Sequence, residues 1–239
     1  MIIKKCCLAG IVMLGVVISS MALAQDEKIF FHDDFNNLEN WKPLNFPKIK
    51  RHTLYSTIQD GTNSYLKAES NASASGIILN NEFRVFDYPK IRWRWKINNV
   101  FAKGNAKTRD GDDYPLRIYI VFKYEPETAS FVEKIKYAIA GGLYGDDPPH
   151  SSLNYIWANR EHEETVLVSP YADKSMMIPL KSGAENADRW IQEEVNIVED
   201  YHKAFGEDPP STASLAIMND SDNTGESAVS YIDYIEIYR

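Results

Sequence analysis

Cysteine is nearly missing from this chain. Its 239 residues hold two, Cys6 and Cys7, and both fall in the first 24 positions. Those positions read as a secretory leader. Lys4 and Lys5 form a charged start, Leu8 to Ile18 is an apolar run broken only by Gly10 and Gly15, and Ala22-Leu23-Ala24 is a small-x-small cleavage site. The run is too short for a membrane span, and no later stretch reaches 18 apolar residues, so no span is expected in the remainder. Cleavage after Ala24 leaves 215 residues without a cysteine. Disulfides and thiol chemistry are then excluded, and the fold must rest on its core, with or without a bound metal. The expected location is periplasmic or secreted.

Positive charge is also short. The chain has 26 Lys and Arg against 34 Asp and Glu, a net charge of -8. Loss of Lys4 and Lys5 with the leader takes this to -10. Nucleic-acid affinity rests on neutralising phosphates, so such a chain is no general nucleic-acid partner. With 12 Gly and 11 Pro there are turns but no low-complexity character. Several catalytic signatures are missing too. His162-Glu163-Glu164 lacks the second His of a zinc protease helix, and there is no nucleophile elbow, phosphate loop or dinucleotide fingerprint. The five His are scattered, and Glu193, Glu194 and Glu199 do not place an acid and a base on one strand face.

What remains reads mostly as strands. Thr53–Ile58 and Tyr65–Ala68 flank the hairpin signal Asp60-Gly61-Thr62-Asn63. Ile91–Ile97 alternates, with Ile91, Trp93, Trp95 and Ile97 on one face and Arg92, Arg94 and Lys96 on the other. Leu116–Lys123 sets Leu116, Ile118, Ile120 and Phe122 against Arg117, Tyr119 and Val121 in the same way. Further strands are expected at Gly76–Leu79, Leu153–Ala158, Thr165–Val168, Met176–Leu180, Trp190–Ile197, Ser214–Met218 and Ala228–Tyr238. Two short helices interrupt them, Thr128–Ala140 and Val198–Phe205, the second stopped by Gly206. The last strand is expected to pair near the first, Ile29–Phe35. About ten short strands with polar turns imply an all-β antiparallel sandwich, of jelly-roll or concanavalin-like type, as one domain over residues 25–239.

Separated motifs carry a resemblance. They are Tyr88-Pro89, Trp93-Arg94-Trp95, Asp112-Asp113-Tyr114-Pro115-Leu116-Arg117-Ile118-Tyr119, Leu153-Asn154-Tyr155-Ile156-Trp157-Ala158, Phe205-Gly206-Glu207-Asp208-Pro209-Pro210 and Met218-Asn219-Asp220-Ser221-Asp222-Asn223-Thr224-Gly225-Glu226. Together they resemble the exported bacterial domain-of-unknown-function family 3047, across nearly all of the chain after the leader. That resemblance implies the bounds of one domain and no activity. More loosely, Asp33-Asp34-Phe35 with Trp41, and Ile232-Asp233-Tyr234-Ile235, resemble the edges of carbohydrate-binding jelly rolls and concanavalin-like sandwiches.

Four constellations are candidate sites. If Ile91–Ile97 and Leu116–Lys123 share a sheet, then Arg92, Arg94, Lys96, Arg117 and Tyr119 form one basic-aromatic face. Arginine forks on it would bind a glycan or another anionic cell-envelope ligand. On that reading Trp93 and Trp95 belong to the core. Second, Asp112 and Asp113 precede the strand of Arg117, and an Asp113–Arg117 pair would suit an acid or base beside an anion clamp. A polysaccharide lyase or hydrolase is the enzymatic alternative, with Asp113, Arg117 and Tyr119 as catalytic candidates. An envelope protein without a small ligand is a third reading, and it requires the arginines to be consumed by internal ion pairs. Third, Asp220, Asp222, Thr224 and Glu226 resemble the oxygen spacing of a calcium loop, although Tyr231 stands where an EF-hand has Glu. No cofactor is required, and calcium is the candidate metal. Asn154 and Trp157 lie at opposite parity on one strand, and either could face a ligand.

Overall fold

The computed structural model describes residues 27–125 and 149–239. The expected helix Thr128–Ala140 lies outside the described residues. The rest forms two packed sheets, as the strand pattern implies. One sheet has six strands in the order β12-β7-β14-β4-β3, with β1 on β14: β1 is Ile29–Asp33, β3 Leu54–Asp60, β4 Asn63–Asn71, β7 Lys90–Ile97, β12 Ile191–Asn196 and β14 Ser227–Tyr238. The other has eight in the order β10-β11-β9-β8-β13-β5-β2, with β6 on β13. Its strands are β2 Trp41–Leu44, β5 Ala74–Leu79, β6 Phe83–Arg84, β8 Arg117–Phe122, β9 Ser151–Ala158, β10 Leu167–Ser169, β11 Ala172–Ser182 and β13 Thr212–Asp220.

The sandwich is almost wholly antiparallel. The exception is β11, which runs parallel to β9 from Ser175↔Ser152 to Ser182↔Ala158. Parallel neighbours need a crossover connection, and β10 with its flanking loops supplies it. The hairpin of β3 and β4 forms as the sequence implies, closing at Asp60↔Asn63. Gly61 takes φ +63°, a left-handed value that glycine adopts without strain. One α-helix, α1 (Ile197–Phe205), is capped by Asn196, whose Oδ1 accepts the N–H of Val198 and of Glu199. It ends where Gly206 takes φ +75°.

Alternation decides the core. Ile91, Trp93, Trp95 and Ile97 of β7 are fully buried, as are Ile118, Ile120 and Phe122 of β8. Aromatic rings bridge the sheets: Trp93 lies 5.7 Å from Tyr155, and Trp95 lies 5.5 Å from Trp157. In β14 a bulge between Ile232 and Tyr234 inserts Asp233. It restores the parity, so that Ile232, Ile235 and Ile237 all point inward.

Both strands of the expected basic face exist, but in different sheets. β7 lies between β12 and β14, whereas β8 lies between β9 and β13. Arg92, Arg94 and Lys96 therefore face outward from one side of the molecule, and Arg117 and Tyr119 from the other. The single basic-aromatic groove of the sequence reading is not formed. Period-2 alternation fixes which side of a strand meets the core, not which sheet the strand joins.

Candidate functional site

On the outer face of the eight-stranded sheet, five of the expected residues come together. Arg117 leaves β8 buried, and Tyr119 follows two residues later on the same face. Asn154 of β9 is the register partner of Tyr119 and is 1% exposed. The loop that brings Asp112 and Asp113 to this face is fixed by Asn159. Its Nδ2 donates to the Asp113 carbonyl at 2.6 Å, and its Oδ1 accepts the Phe101 N–H at 2.8 Å. A Cβ on Gly104 would stand 2.1 Å from that Nδ2, so only glycine lets the loop pass so close.

The expected Asp113–Arg117 pair does not form. Arg117 Nη2 instead donates to Asp220 Oδ2, and Nη1 lies 3.8 Å from Asp112 Oδ2. The guanidinium sits between the rings of Tyr114 and Tyr119, at 5.0 and 5.2 Å from their centres. Asp113 has other work, accepting the N–H of Asn223 at 3.3 Å and of Thr224 at 2.6 Å. The backbone of the following loop is the nearer donor set, and it takes both carboxylate oxygens. Burial holds the Tyr119 hydroxyl proton above the ordinary tyrosine range, although Arg117 opposes this. Such a hydroxyl keeps its proton at neutral pH.

Charge at this cluster does not balance. Asp112, Asp113 and Asp220 are buried, Asp222 stands beside them, and Arg117 is the cation among them. Burial raises the pKa of Asp112, Asp220 and Asp222, with the Arg117 charge pulling each back down. One carboxylate oxygen from each of Asp113, Asp220 and Asp222 lies within 4.8 Å of the others, a hard-oxygen set that could hold a cation. Among the described residues, Asp112 Oδ1, Arg117 Nε and Asn154 Oδ1 are buried without hydrogen-bond partners. The set differs from the one expected. Asp220 and Asp222 remain, Asp113 joins, and Glu226 leaves. The Glu226 carboxylate accepts the N–H groups of Ala102 and Lys103 at 3.0 and 2.9 Å. Thr224 contributes its N–H to Asp113, and its Oγ1 accepts from the Glu226 N–H.

Trp157 is not on this face. It is fully buried in the core, and its indole N–H donates to the Gly183 carbonyl at 3.0 Å.

On the outer face of the six-stranded sheet, Arg92 pairs with Glu236 and Glu27, and Arg94 pairs with Asp233 at 3.0 Å. Three half-buried rings that the sequence reading did not assign to a site gather beside them. Tyr65 lies 5.8 Å from Trp190 and 5.7 Å from Tyr231, and Trp190 lies 6.3 Å from Tyr231. The Lys96 ammonium is 4.9 Å from the Trp190 ring centre and 4.5 Å from that of Tyr231. Among the described residues no carboxylate forms an ion pair with Lys96. The signal for two of these rings was present in the sequence: Tyr65 and Tyr231 each stand at the parity opposite a core neighbour, Leu66 and Ile232.

The sequence matches the model of a family described as "Protein of unknown function (DUF3047)" over residues 39–236. No curated protein matches it. Among solved structures it is similar to a family 11 carbohydrate-binding module from Clostridium thermocellum in complex with a beta-1,3-1,4-mixed-linked tetrasaccharide. Identity is 13%, coverage is 88% of this chain and 94% of that one, and the TM-score is 0.40. It is also similar to a family 12 xyloglucanase from Bacillus licheniformis, at 8% identity, 89% and 98% coverage and a TM-score of 0.46. These likenesses concern the sandwich fold alone.

Proposed function

The chain belongs to the DUF3047 family, and from that premise we propose that it is an exported glycan-binding protein whose ligand lies on the outer face of the six-stranded sheet. The observation that supports this is the cluster of Tyr65, Trp190 and Tyr231 with Lys96 above two of the rings. Partly exposed aromatic rings supply apolar contact area for sugar C–H faces, and an ammonium with no ion-pair partner among the described residues supplies hydrogen bonds to hydroxyls or a carboxylate. Arg92 and Arg94 are neutralised by their own carboxylates, so they frame the site rather than capture an anion. The leader over Met1–Ala24 supports a location in the periplasm or outside the cell.

Calcium, if bound, belongs at Asp113, Asp220 and Asp222 on the opposite side of the molecule. There it would offset carboxylate charge that Arg117 alone does not balance, and its role would be structural.

A second reading, an envelope protein without a small ligand, draws support from the ion pairs that occupy Arg92, Arg94 and Arg117. Titration calorimetry against neutral and uronate tetrasaccharides separates the two. Binding that is lost in Trp190→Ala supports the glycan site. No heat from any member of the panel, with the protein folded, overturns it in favour of the second reading.

A further inference from the structure

A cleft of about 690 Å³ opens where β3, β4, β7 and β14 meet the loops at one end of the six-stranded sheet. Its volume falls in the range of about 300–1,000 Å³ usual for small-ligand sites. The lining is mixed: Arg51, Glu69, Asn98 and Asn99 contribute polar groups, and Leu54 and Val229 contribute apolar ones. Ser70, at the core-facing parity of Leu66 and Ala68, is 4% exposed, and among the described residues its hydroxyl has no hydrogen-bond partner.

The cleft adjoins the ring cluster. Glu69 and Tyr65 occupy the same face of β4, four residues apart, which is about 13 Å along a strand. On β14 the neighbours repeat this order, with Tyr231 opposite Lys67 and Val229 opposite Glu69.

We infer that this cleft is the end subsite of the glycan surface and receives one uncharged, hydroxyl-rich sugar unit. The inference rests on the glycan reading above. Amides and hydroxyls both donate and accept, which matches sugar hydroxyls that do the same. The lining carries both signs, Arg51 and Glu69, and Glu69 is already paired with Lys67 at 2.8 Å. An anion would meet Glu69 and a cation would meet Arg51, whereas a neutral polyol meets neither penalty.

The test uses β-linked glucose and N-acetylglucosamine tetramers and the corresponding free monosaccharides. Asn98 is exposed, so Asn98→Ala leaves the fold intact, and it is expected to weaken tetramer binding roughly three- to tenfold, the worth of one hydrogen bond. Ser70→Ala, on the core-facing side of the same strand, is the control and is expected to leave binding unchanged. In amide chemical-shift mapping, the monosaccharide moves Asn71, Asn98 and Ser227, and still does so in Trp190→Ala. If tetramers bind and Trp190→Ala abolishes binding, but Asn98→Ala binds as the parent does and the cleft amides stay still, the subsite is overturned and the glycan surface stands. If no sugar binds the parent protein, both fall.

Discussion

The Asp33 carboxylate accepts the indole N–H of Trp41 at 2.9 Å. It thereby ties β1 of the six-stranded sheet to β2 of the eight-stranded one. The same carboxylate accepts the N–H of Phe35 at 2.7 Å and a proton of the Asn40 amide at 3.2 Å. The motif Asp33-Asp34-Phe35 with Trp41, read in the sequence as the edge of a carbohydrate-binding jelly roll, is in this structure a clamp between sheets. Asp33→Ala leaves those donors unsatisfied in a buried place, and it is expected to cost about 1.5–3 kcal/mol in urea unfolding.

Arg117 and Asp220 form a buried link within the eight-stranded sheet, between neighbouring β8 and β13. Arg117→Ala strands Asp220 and Asp112 without their cation and is expected to cost about 3–5 kcal/mol. Replacing both partners, as Arg117→Met with Asp220→Leu, is expected to recover much of that loss. A double variant no more stable than Arg117→Ala would show that the pair is not the source of the cost.

The tryptophans divide by role. Trp157→Ala empties a core site and is expected to cost about 3–5 kcal/mol in stability. The less drastic Trp157→Phe is expected to leave glycan affinity unchanged. Trp190→Ala is expected to do the reverse, with a small change in Tm and a loss of at least about tenfold in affinity, as for an aromatic anchor. Calorimetry and thermal melts on the same samples check both.

Calcium is expected to raise Tm, and a chelator to lower it. At a concentration one hundred times Kd the gain would be about 2.7 kcal/mol. Asp222→Asn is expected to abolish the gain, while Glu226→Gln, which touches the backbone of Ala102 and Lys103 instead, keeps it. A melting curve indifferent to calcium would leave Asp220-Ser221-Asp222 as a plain turn.

The pH dependence of stability has an identifiable contributor in His32. Burial alone lowers its pKa, but hydrogen bonds to Asp34 at 2.8 Å and Glu236 at 2.7 Å outweigh this and raise it above 6.5. A histidine raised in the folded state contributes stability that is full below its unfolded pKa and is lost as pH rises through the folded value. Lowering pH from 8 towards 6 is therefore expected to stabilise the parent relative to His32→Gln. For a partly exposed pair the difference should stay under about 1 kcal/mol. Parallel curves for the two proteins would remove His32 as the cause.

Much of this fold was readable from local pattern, and most of the sites were not. The alternation of β7 marks Trp93 and Trp95 as core, and the Gly61 turn marks a hairpin, because both are set by neighbours in sequence. Sheet membership is set by pairing between distant strands. The patterns around Arg92 and Arg117 look alike, yet the residues lie on opposite sides of the molecule. The oxygen spacing at Asp220 and Asp222 was visible, but the arrival of Asp113 and the diversion of Glu226 depend on a loop from another part of the chain. The cluster of Tyr65, Trp190 and Tyr231 likewise draws on three separate segments. Outward parity was available for the two tyrosines, but convergence was not.

The place of β14 has a consequence for the order of assembly. The last strand of the sequence lies inside the six-stranded sheet and pairs with β1, β4 and β7. As synthesis proceeds from the N-terminus, β1 lacks its partner, and β4 and β7 each lack one of their two neighbours, until residues 227–238 have been made. Nucleation on this sheet is therefore non-local, and such topologies fold slowly. A nascent chain released before Ser227 would hold Trp93 and Trp95 opposite β9 but on a strand with an open edge where β14 belongs. Truncation from the C-terminus should thus abolish cooperative folding within a dozen residues, whereas the hairpin of β3 and β4 closes on its own local turn.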